Sequence, residues 1–397
     1  MAKTLMAVDA GTGSVRAVLF SLDGEQLGCV QQEWTHKEDP RYPGSMDFDW
    51  VHNWELARGC IRGVIEQTGV DPHDIAAVST TCMREGIVLY DKDGREIWAC
   101  ANVDARSDDE VAQLVHMNPE LEKQIYRESG QTYALGALPR LFWVKDKMPE
   151  VYEKTALCTM FNDWLIYKMT GVFSSEPSNA CTTGIFDLKA RDWDDQIAAS
   201  IGLKTGIFPK MYECGTVVAQ VSAQGAEQTG LAEGTPVVAG GGDAQLGCVG
   251  VGVVDANQAA IFGGSFWQYE YNTDEAKTDE HCRVRVNCHS VPGIWQYEAL
   301  AFKPGMVMRW YRDAFCQYEK ELSKTTGRDP YDLMNEKAKD IPAGCYGMMC
   351  AFSDVMNYIS WRHASPTFTN FDFDPEKFNR YTFYRAIMEN TAMVTYG

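Results

Sequence analysis

An apolar run at residues 5–9 ends on a carboxylate, Asp9, and is followed at once by Gly11-Thr12-Gly13-Ser14 and a second apolar run at 15–20. Two short β-prone runs joined by a glycine turn can only pair back on themselves, so the chain must open as a hairpin. Asp23-Gly24 marks another tight turn, and residues 26–33 supply a third strand. The opening is therefore expected to be an antiparallel meander.

Asp49 then suits a helix N-cap. Trp54, Ala57, Ile61, Val64 and Ile65 fall on one helical face, and Gly69 provides the stop. Residues 75–81 form the next expected strand. Strand-rich and helix-rich stretches keep alternating, which points to an α/β class. With 397 residues, 45% of them hydrophobic, the chain can bury two or three domain cores without staples.

The formal net charge is −19. At long range such a chain repels nucleic-acid phosphates and anionic membranes, so neither is expected as a partner. A single anionic ligand remains compatible, provided backbone N–H groups and a metal ion supply local positive field. The 13 cysteines are scattered, with no C-x-x-C pair. They fit reduced core thiols of a cytoplasmic protein better than a disulfide framework. The N-terminus shows no signal-peptide pattern, and the weakly charged stretch 235–254 is broken by glycines and Asp243.

Four motifs carry candidate chemistry. In the first, Asp9 precedes Gly11, Thr12, Gly13 and Ser14. Glycines let a backbone approach a phosphate, the turn amides can cradle its oxygens, and Asp9 can hold Mg²⁺ through water. An ordinary hairpin would look the same. No P-loop run is present, and Arg16 stands where a dinucleotide fingerprint needs its third glycine. In the second motif, an apolar strand runs into Gly240-Gly241-Gly242 and then Asp243 at the start of a helix. Asp243 can take a hydroxyl proton during phosphoryl transfer and touch the substrate, or it can simply cap that helix.

The third motif is Arg84-Glu85 after the strand 75–81. Guanidinium donates and carboxylate accepts, so the pair can grip a polyol; in isolation the reading as a surface ion pair is favoured. The fourth is Gly263-Gly264-Ser265, a candidate second phosphate turn between strands 259–262 and 266–271 that echoes the opening. A further cluster, His281, Cys282, Cys288 and His289, lacks zinc-site spacing, and Arg283 to Val286 alternate like a strand. Residues 272–280 are polar and suit a loop. Near the end, Phe383, Ile387 and Val394 share one helical stripe.

In this order the motifs resemble the FGGY carbohydrate kinases, the family of glycerol, xylulose and ribulose kinases. The resemblance runs through D-x-G-T-x-S at Asp9 to Ser14, with Arg16 after it, and through Arg84-Glu85. Asn102 to Arg106 is similar to W-x-D-x-R without its Trp. It continues through Asp163-Trp164-Leu165 with Met169-Thr170-Gly171, through Ser178-Asn179-Ala180 with Thr182 and Thr183, and through Gly242-Asp243. Six motifs in order are far more specific than any one.

The resemblance implies an α/β fold of two ribonuclease-H-like domains with a cleft between them. A sugar-binding domain would occupy residues 1–246 and a nucleotide-binding domain 247–397. The second would be incomplete, because the family's adenosine motif and C-terminal signature should lie beyond residue 397. The implied reaction moves the ATP γ-phosphoryl to a primary hydroxyl of a small sugar-like compound, with Mg²⁺ as cofactor. A phosphocarrier of the sugar phosphotransferase system is an implied partner, and assembly is expected to be monomeric or homodimeric. The second phosphate turn departs from the family by lacking its threonine. Alternatives at this stage are an actin-like ATPase or phosphatase, another sugar kinase of the family, and a non-catalytic sugar-binding remnant.

Overall fold

A computed structural model describes residues 3–134, 136–264, 267–301, 304–352 and 366–396. By internal contacts the chain divides into two units, Met1–Gln258 with Asn272–Tyr297, and Ala259–Tyr271 with Glu298–Gly397. The first unit runs on past residue 246 because the helix Asp243–Gly250 leaves directly from the strand Pro236–Gly242 of its central sheet.

That unit opens as the sequence predicts. Strands β1 (Thr4–Ala10), β2 (Ser14–Ser21) and β3 (Gln26–Glu33) form the antiparallel meander. Helix α1 (Trp50–Thr68) follows. The Asp49 carboxylate accepts from the His52 N–H at 3.0 Å, and Gly69, left-handed at φ 65°, donates its N–H to the Ile65 carbonyl. Trp54, Ala57, Ile61 and Val64 are buried, and Ile65 sits half-buried at the edge of that face.

Strand β4 (Ile75–Cys82) pairs in parallel with β1, and Pro236–Gly242 pairs in parallel with β4. With Val217–Gln220 at the far edge, the sheet has six strands and a mixed order. Parallel pairing puts the C-terminal ends of β1, β4 and Pro236–Gly242 side by side. Asp9, Arg84, Glu85 and Asp243 all emerge at or just after those ends, where open α/β sheets take their ligands.

The three glycines continue the strand to its end. A Cβ at Gly240 would stand 1.5 Å from the Thr80 carbonyl oxygen. One at Gly241 would meet the Ser178 hydroxyl at 2.7 Å, and one at Gly242 would press on Gln245 and Arg84. Glycine is needed because Thr80, Ser178, Gln245 and Arg84 crowd this strand.

In the second unit, Ala259–Gly263 pairs antiparallel with Trp267–Thr273 from Ala259↔Tyr271 to Gly263↔Trp267. The strand runs on to Thr273, into the stretch expected to be loop. Helices Pro304–Phe315, Pro330–Ala338 and Arg380–Tyr396 bury Val307, Tyr311, Met334, Tyr384 and Ile387 together. The buried face of the last helix is Tyr384, Ile387 and Thr391. Of the expected stripe Ile387 is buried, while Phe383 and Val394 are half-buried at the margin, because the Tyr384 ring goes inward and its hydroxyl donates to Asn335 Oδ1 at 3.0 Å. Among the described residues, no helix is long and apolar enough to cross a membrane.

Candidate active site

The turn between β1 and β2 is clamped from behind. The Trp34 indole N–H donates to the Gly11 carbonyl at 3.0 Å, and the Trp34 backbone N–H donates to the Gly13 carbonyl at 3.2 Å. His36 Nε2 bonds the Thr12 carbonyl at 2.7 Å; burial pushes its ring pKa down, so the neutral ring donates. With all three carbonyls held, the Thr12 and Gly13 amides have no protein acceptor among the described residues, and a Cβ at Gly13 would meet nothing within 4 Å. That is the cradle an anionic ligand needs. Ser14 lies outside the turn, as the first residue of β2. Asn102, at the place of the missing Trp, donates to the Thr12 hydroxyl at 3.0 Å.

Asp9 is paired with Arg16, at 2.8 Å from Nε and 2.6 Å from Nη2. Burial raises its pKa and Arg16 opposes that. Among the described residues, no three His, Cys, Asp or Glu side chains gather as a metal cage. Mg²⁺ commonly rests on one or two carboxylates, phosphate oxygens and water, so a single Asp beside a phosphate cradle fits it.

Arg84 and Glu85 are not the surface ion pair that two adjacent charges suggested. Both are buried, and they face different partners. Arg84 Nε lies 3.7 Å from Asp243 Oδ1. Glu85, in the left-handed region at φ 65°, accepts from Arg285 Nη1 at 2.8 Å. Arg140 donates to the Glu85 carbonyl and holds the Asn102 and Asp104 carbonyls at 2.7 and 3.0 Å, which fixes this strained turn. Arg285 Nε also donates to Gln131 Oε1 at 2.7 Å. Two ion pairs thus leave adjacent residues, Glu85–Arg285 with both residues buried, and Arg84–Asp243 with Arg84 buried and Asp243 partly open. Sequence reasoning missed Arg285 and Arg140. For Arg140 the available signal was an arginine inside an otherwise apolar run, Leu138-Pro139-Arg140-Leu141; Arg285 sits in the alternating stretch Arg283 to Val286 and gave none.

Asp243 is the first residue of its helix and does not cap it; Gly242 holds the cap position. Displacement of water by protein lifts its carboxyl to about 6. Glu85 and Asp9 add to the lift, while Arg84 and the Ala244 amide oppose it. The side chain is nonetheless 46% accessible, so the carboxylate is crowded but open to a ligand on one side. A carboxylate with that pKa can take a proton near neutral pH.

Gly263 closes its strand and Gly264 follows it in the second unit; Ser265 lies outside the described residues. In the rejected zinc cluster, both His289 ring nitrogens are engaged, by the Val253 carbonyl at 3.1 Å and the Val291 N–H at 2.8 Å. All thirteen cysteines are free thiols.

An accessible carboxylate paired with a buried arginine, at the end of a sheet that opens with a turn whose Thr12 and Gly13 amides have no acceptor among the described residues, suits phosphoryl transfer to a hydroxyl. The N-terminal domain of the FGGY family of carbohydrate kinases matches residues 4–250. The chain belongs to that family and is a sugar kinase by descent. It is 48% identical over 392 residues to the autoinducer-2 kinase of Klebsiella pneumoniae, covering 98% of this chain and 74% of the relative. The same figures hold for the autoinducer-2 kinase of Yersinia enterocolitica.

The fold matches xylulose kinase from Rhodospirillum rubrum with TM-score 0.83 and 22% identity, over 99% of this chain and 77% of that one. Plasmodium falciparum glycerol kinase matches with TM-score 0.82 and 17% identity over the same shares. The α/β, actin-like kinase fold expected from the motifs is therefore present.

Proposed function

We propose that this protein transfers the γ-phosphoryl group of ATP to a terminal hydroxyl of autoinducer-2, the quorum-sensing signal, in its linear dihydroxypentanedione form. The observation that carries the reaction is the Asp243 carboxylate, accessible, lifted to about 6 and facing Arg84. The substrate follows from the 48% identical relatives and their shared name.

Asp243 takes the hydroxyl proton as that oxygen bonds to the γ-phosphorus, and the bond to the bridging oxygen breaks to release ADP. Arg84 and Glu85 hold the substrate. The Gly11, Thr12 and Gly13 amides donate to phosphate oxygens, with Ser14 beside them and with Gly263, Gly264 and Ser265 as a second set. Asp9 would hold Mg²⁺ through water; bound Mg²⁺ neutralises charge on the β- and γ-phosphates. In this reading residues 1–246 bind sugar and 247–397 bind nucleotide. The reaction belongs in the cytoplasm, where ATP is available and thiols stay reduced. A phosphocarrier of the sugar phosphotransferase system is a candidate partner.

The deciding experiment measures ADP release with Mg²⁺·ATP and a panel of dihydroxypentanedione, xylulose, ribulose, gluconate and glycerol. Dihydroxypentanedione is expected to give the highest kcat/KM. A higher value for any other member reassigns the substrate, and no substrate-dependent release removes the kinase reading for this chain.

A second expectation concerns Arg84→Ala. Loss of its donors should weaken sugar binding by roughly 1–3 kcal/mol. Arg84 holds the Asp243 pKa down, so the rise of kcat/KM with pH should also move to higher pH. An unchanged profile would remove Arg84 from contact with the base.

A further inference from the structure

The segment Glu176 to Asn179 touches none of the proposed reacting groups, yet it is buried throughout. The Glu176 carboxylate accepts four bonds, from the Ser178 N–H at 2.7 Å, the Ser178 hydroxyl at 2.7 Å, the Asn179 N–H at 2.8 Å and the Cys214 thiol at 3.2 Å. The Ser178 hydroxyl proton is thereby committed to Glu176. Its oxygen can then only accept, and it accepts from the Gly242 N–H at 3.0 Å and from the Ser290 hydroxyl at 3.4 Å. Gly242 is the cap residue from which Asp243 departs. Gly241 must lack a side chain for Ser178 to come this near, since its Cβ would lie 2.7 Å from the same hydroxyl.

The next residue reaches the other half of the site. Asn179 Nδ2 donates to the Cys82 thiol and to Asn162 Oδ1, each at 2.8 Å. Cys82 ends β4, two residues before Arg84.

We propose that Ser178 is a positioning residue for Asp243, acting through the Gly242 amide with its own orientation set by Glu176. The inference rests on the proposed role of Asp243 as base. The peptide joining Gly241 to Gly242 is held at both ends, its carbonyl by the Thr81 hydroxyl at 2.9 Å and its N–H by Ser178 at 3.0 Å; without Ser178 the N–H end can tilt and carry the carboxylate away from the attacking hydroxyl. Such a residue governs turnover and not affinity, because sugar and phosphate contacts lie on other segments.

The test compares Ser178→Ala with Asn179→Ala, its equally buried neighbour, by steady-state kinetics and by hydrogen exchange of the peptide spanning Gly242. Ser178→Ala should lower kcat roughly 10-fold or more. KM for sugar and for ATP should stay within about two-fold, and exchange at Gly242 should accelerate at least about ten-fold, as expected when a protecting bond is lost. Asn179→Ala should leave Gly242 exchange unchanged.

Should Ser178→Ala not fold, Ser178→Cys, with a weak donor and acceptor at the same atom, is measured in the same way, with smaller effects of the same sign expected. Unchanged Gly242 exchange in the folded Ser178 variant overturns the inference. So does an equal fall in kcat and melting temperature in the Ser178 and Asn179 variants, which would make the role structural only. Exchange needs no turnover, so it decides the Ser178–Gly242 contact even if the parent chain fails the sugar panel and the kinase reading falls.

Discussion

Asp243→Asn is expected to cut turnover by a factor of about 10² or more while sugar affinity stays within a few-fold. The amide keeps the size and the Ala244 contact but cannot accept the hydroxyl proton. For the parent, kcat/KM should rise with pH through about 6, the lifted pKa of this carboxyl. The residual activity of the variant should lack that step.

Stability should move the opposite way. The folded pKa lies above the ordinary value of 3.8, so the folded protein holds this proton more tightly than the unfolded chain does. Stability from that proton is complete below about pH 4 and is lost as pH rises through about 6. Asp243→Asn removes the loss, so the dead enzyme should melt higher than its parent at pH 7–8 and at about the same temperature at pH 4. Near-normal turnover would remove Asp243 as base. A melting temperature at pH 8 no higher than the parent's would show that its carboxylate is not crowded as described.

The second large effect is expected at Gly240. A Cβ there would sit 1.5 Å from the Thr80 carbonyl oxygen and 2.6 Å from its carbon. Both are backbone atoms in the paired strand, so no rotamer change relieves the clash. Gly240→Ala must push Pro236–Gly242 off β4 and disturb the pairs Gly241↔Thr81 and Gly242↔Cys82. Overpacking against a yielding side chain commonly costs 1–3 kcal/mol; here about 3 kcal/mol or more is expected. Gly250→Ala is the control. It lies in a helix, its Cβ would meet nothing within 4 Å, and it should be neutral or stabilising by up to about 1 kcal/mol. Denaturant melts of the two variants decide the matter, and similar midpoints would contradict the packing described for β4.

What was legible in the sequence was local. The meander, the Asp49 cap, the Gly69 stop and the Asp9 to Gly13 turn each declare themselves within a few residues, through turn chemistry and periodicity. The site was legible where a motif is contiguous, as at Arg84-Glu85 and Gly242-Asp243. It was not legible where its chemistry joins distant segments. Arg285 lies 200 residues from Glu85, and its strand looked merely alternating. The reason for three glycines at 240–242 was not legible, because its cause, the crowding by Thr80, Ser178 and Arg84, lies on other segments. The final helix was found and Ile387 was placed on its inner face, but Phe383 and Val394 lie at the margin, since the side chains that choose that face belong to Pro304–Phe315 and Pro330–Ala338.

The pairing of β4 with Pro236–Gly242 also has a consequence for biosynthesis. The Thr81 hydroxyl bonds the Gly241 carbonyl across 160 residues of chain. At 5–20 residues per second, β4 leaves the ribosome roughly 10–30 s before its partner strand exists. Through that interval one side of β4 is an open edge, able to template pairing with a neighbouring nascent chain. The ends of β1 and β4, and with them Asp9 and Arg84, can be in place early, whereas Asp243 arrives with the last strand to close the sheet's interior. A ribosome stall between residues 82 and 236 would therefore leave a chain that has the Asp9 to Gly13 turn but neither Asp243 nor the strand that covers β4, with that edge open to pairing.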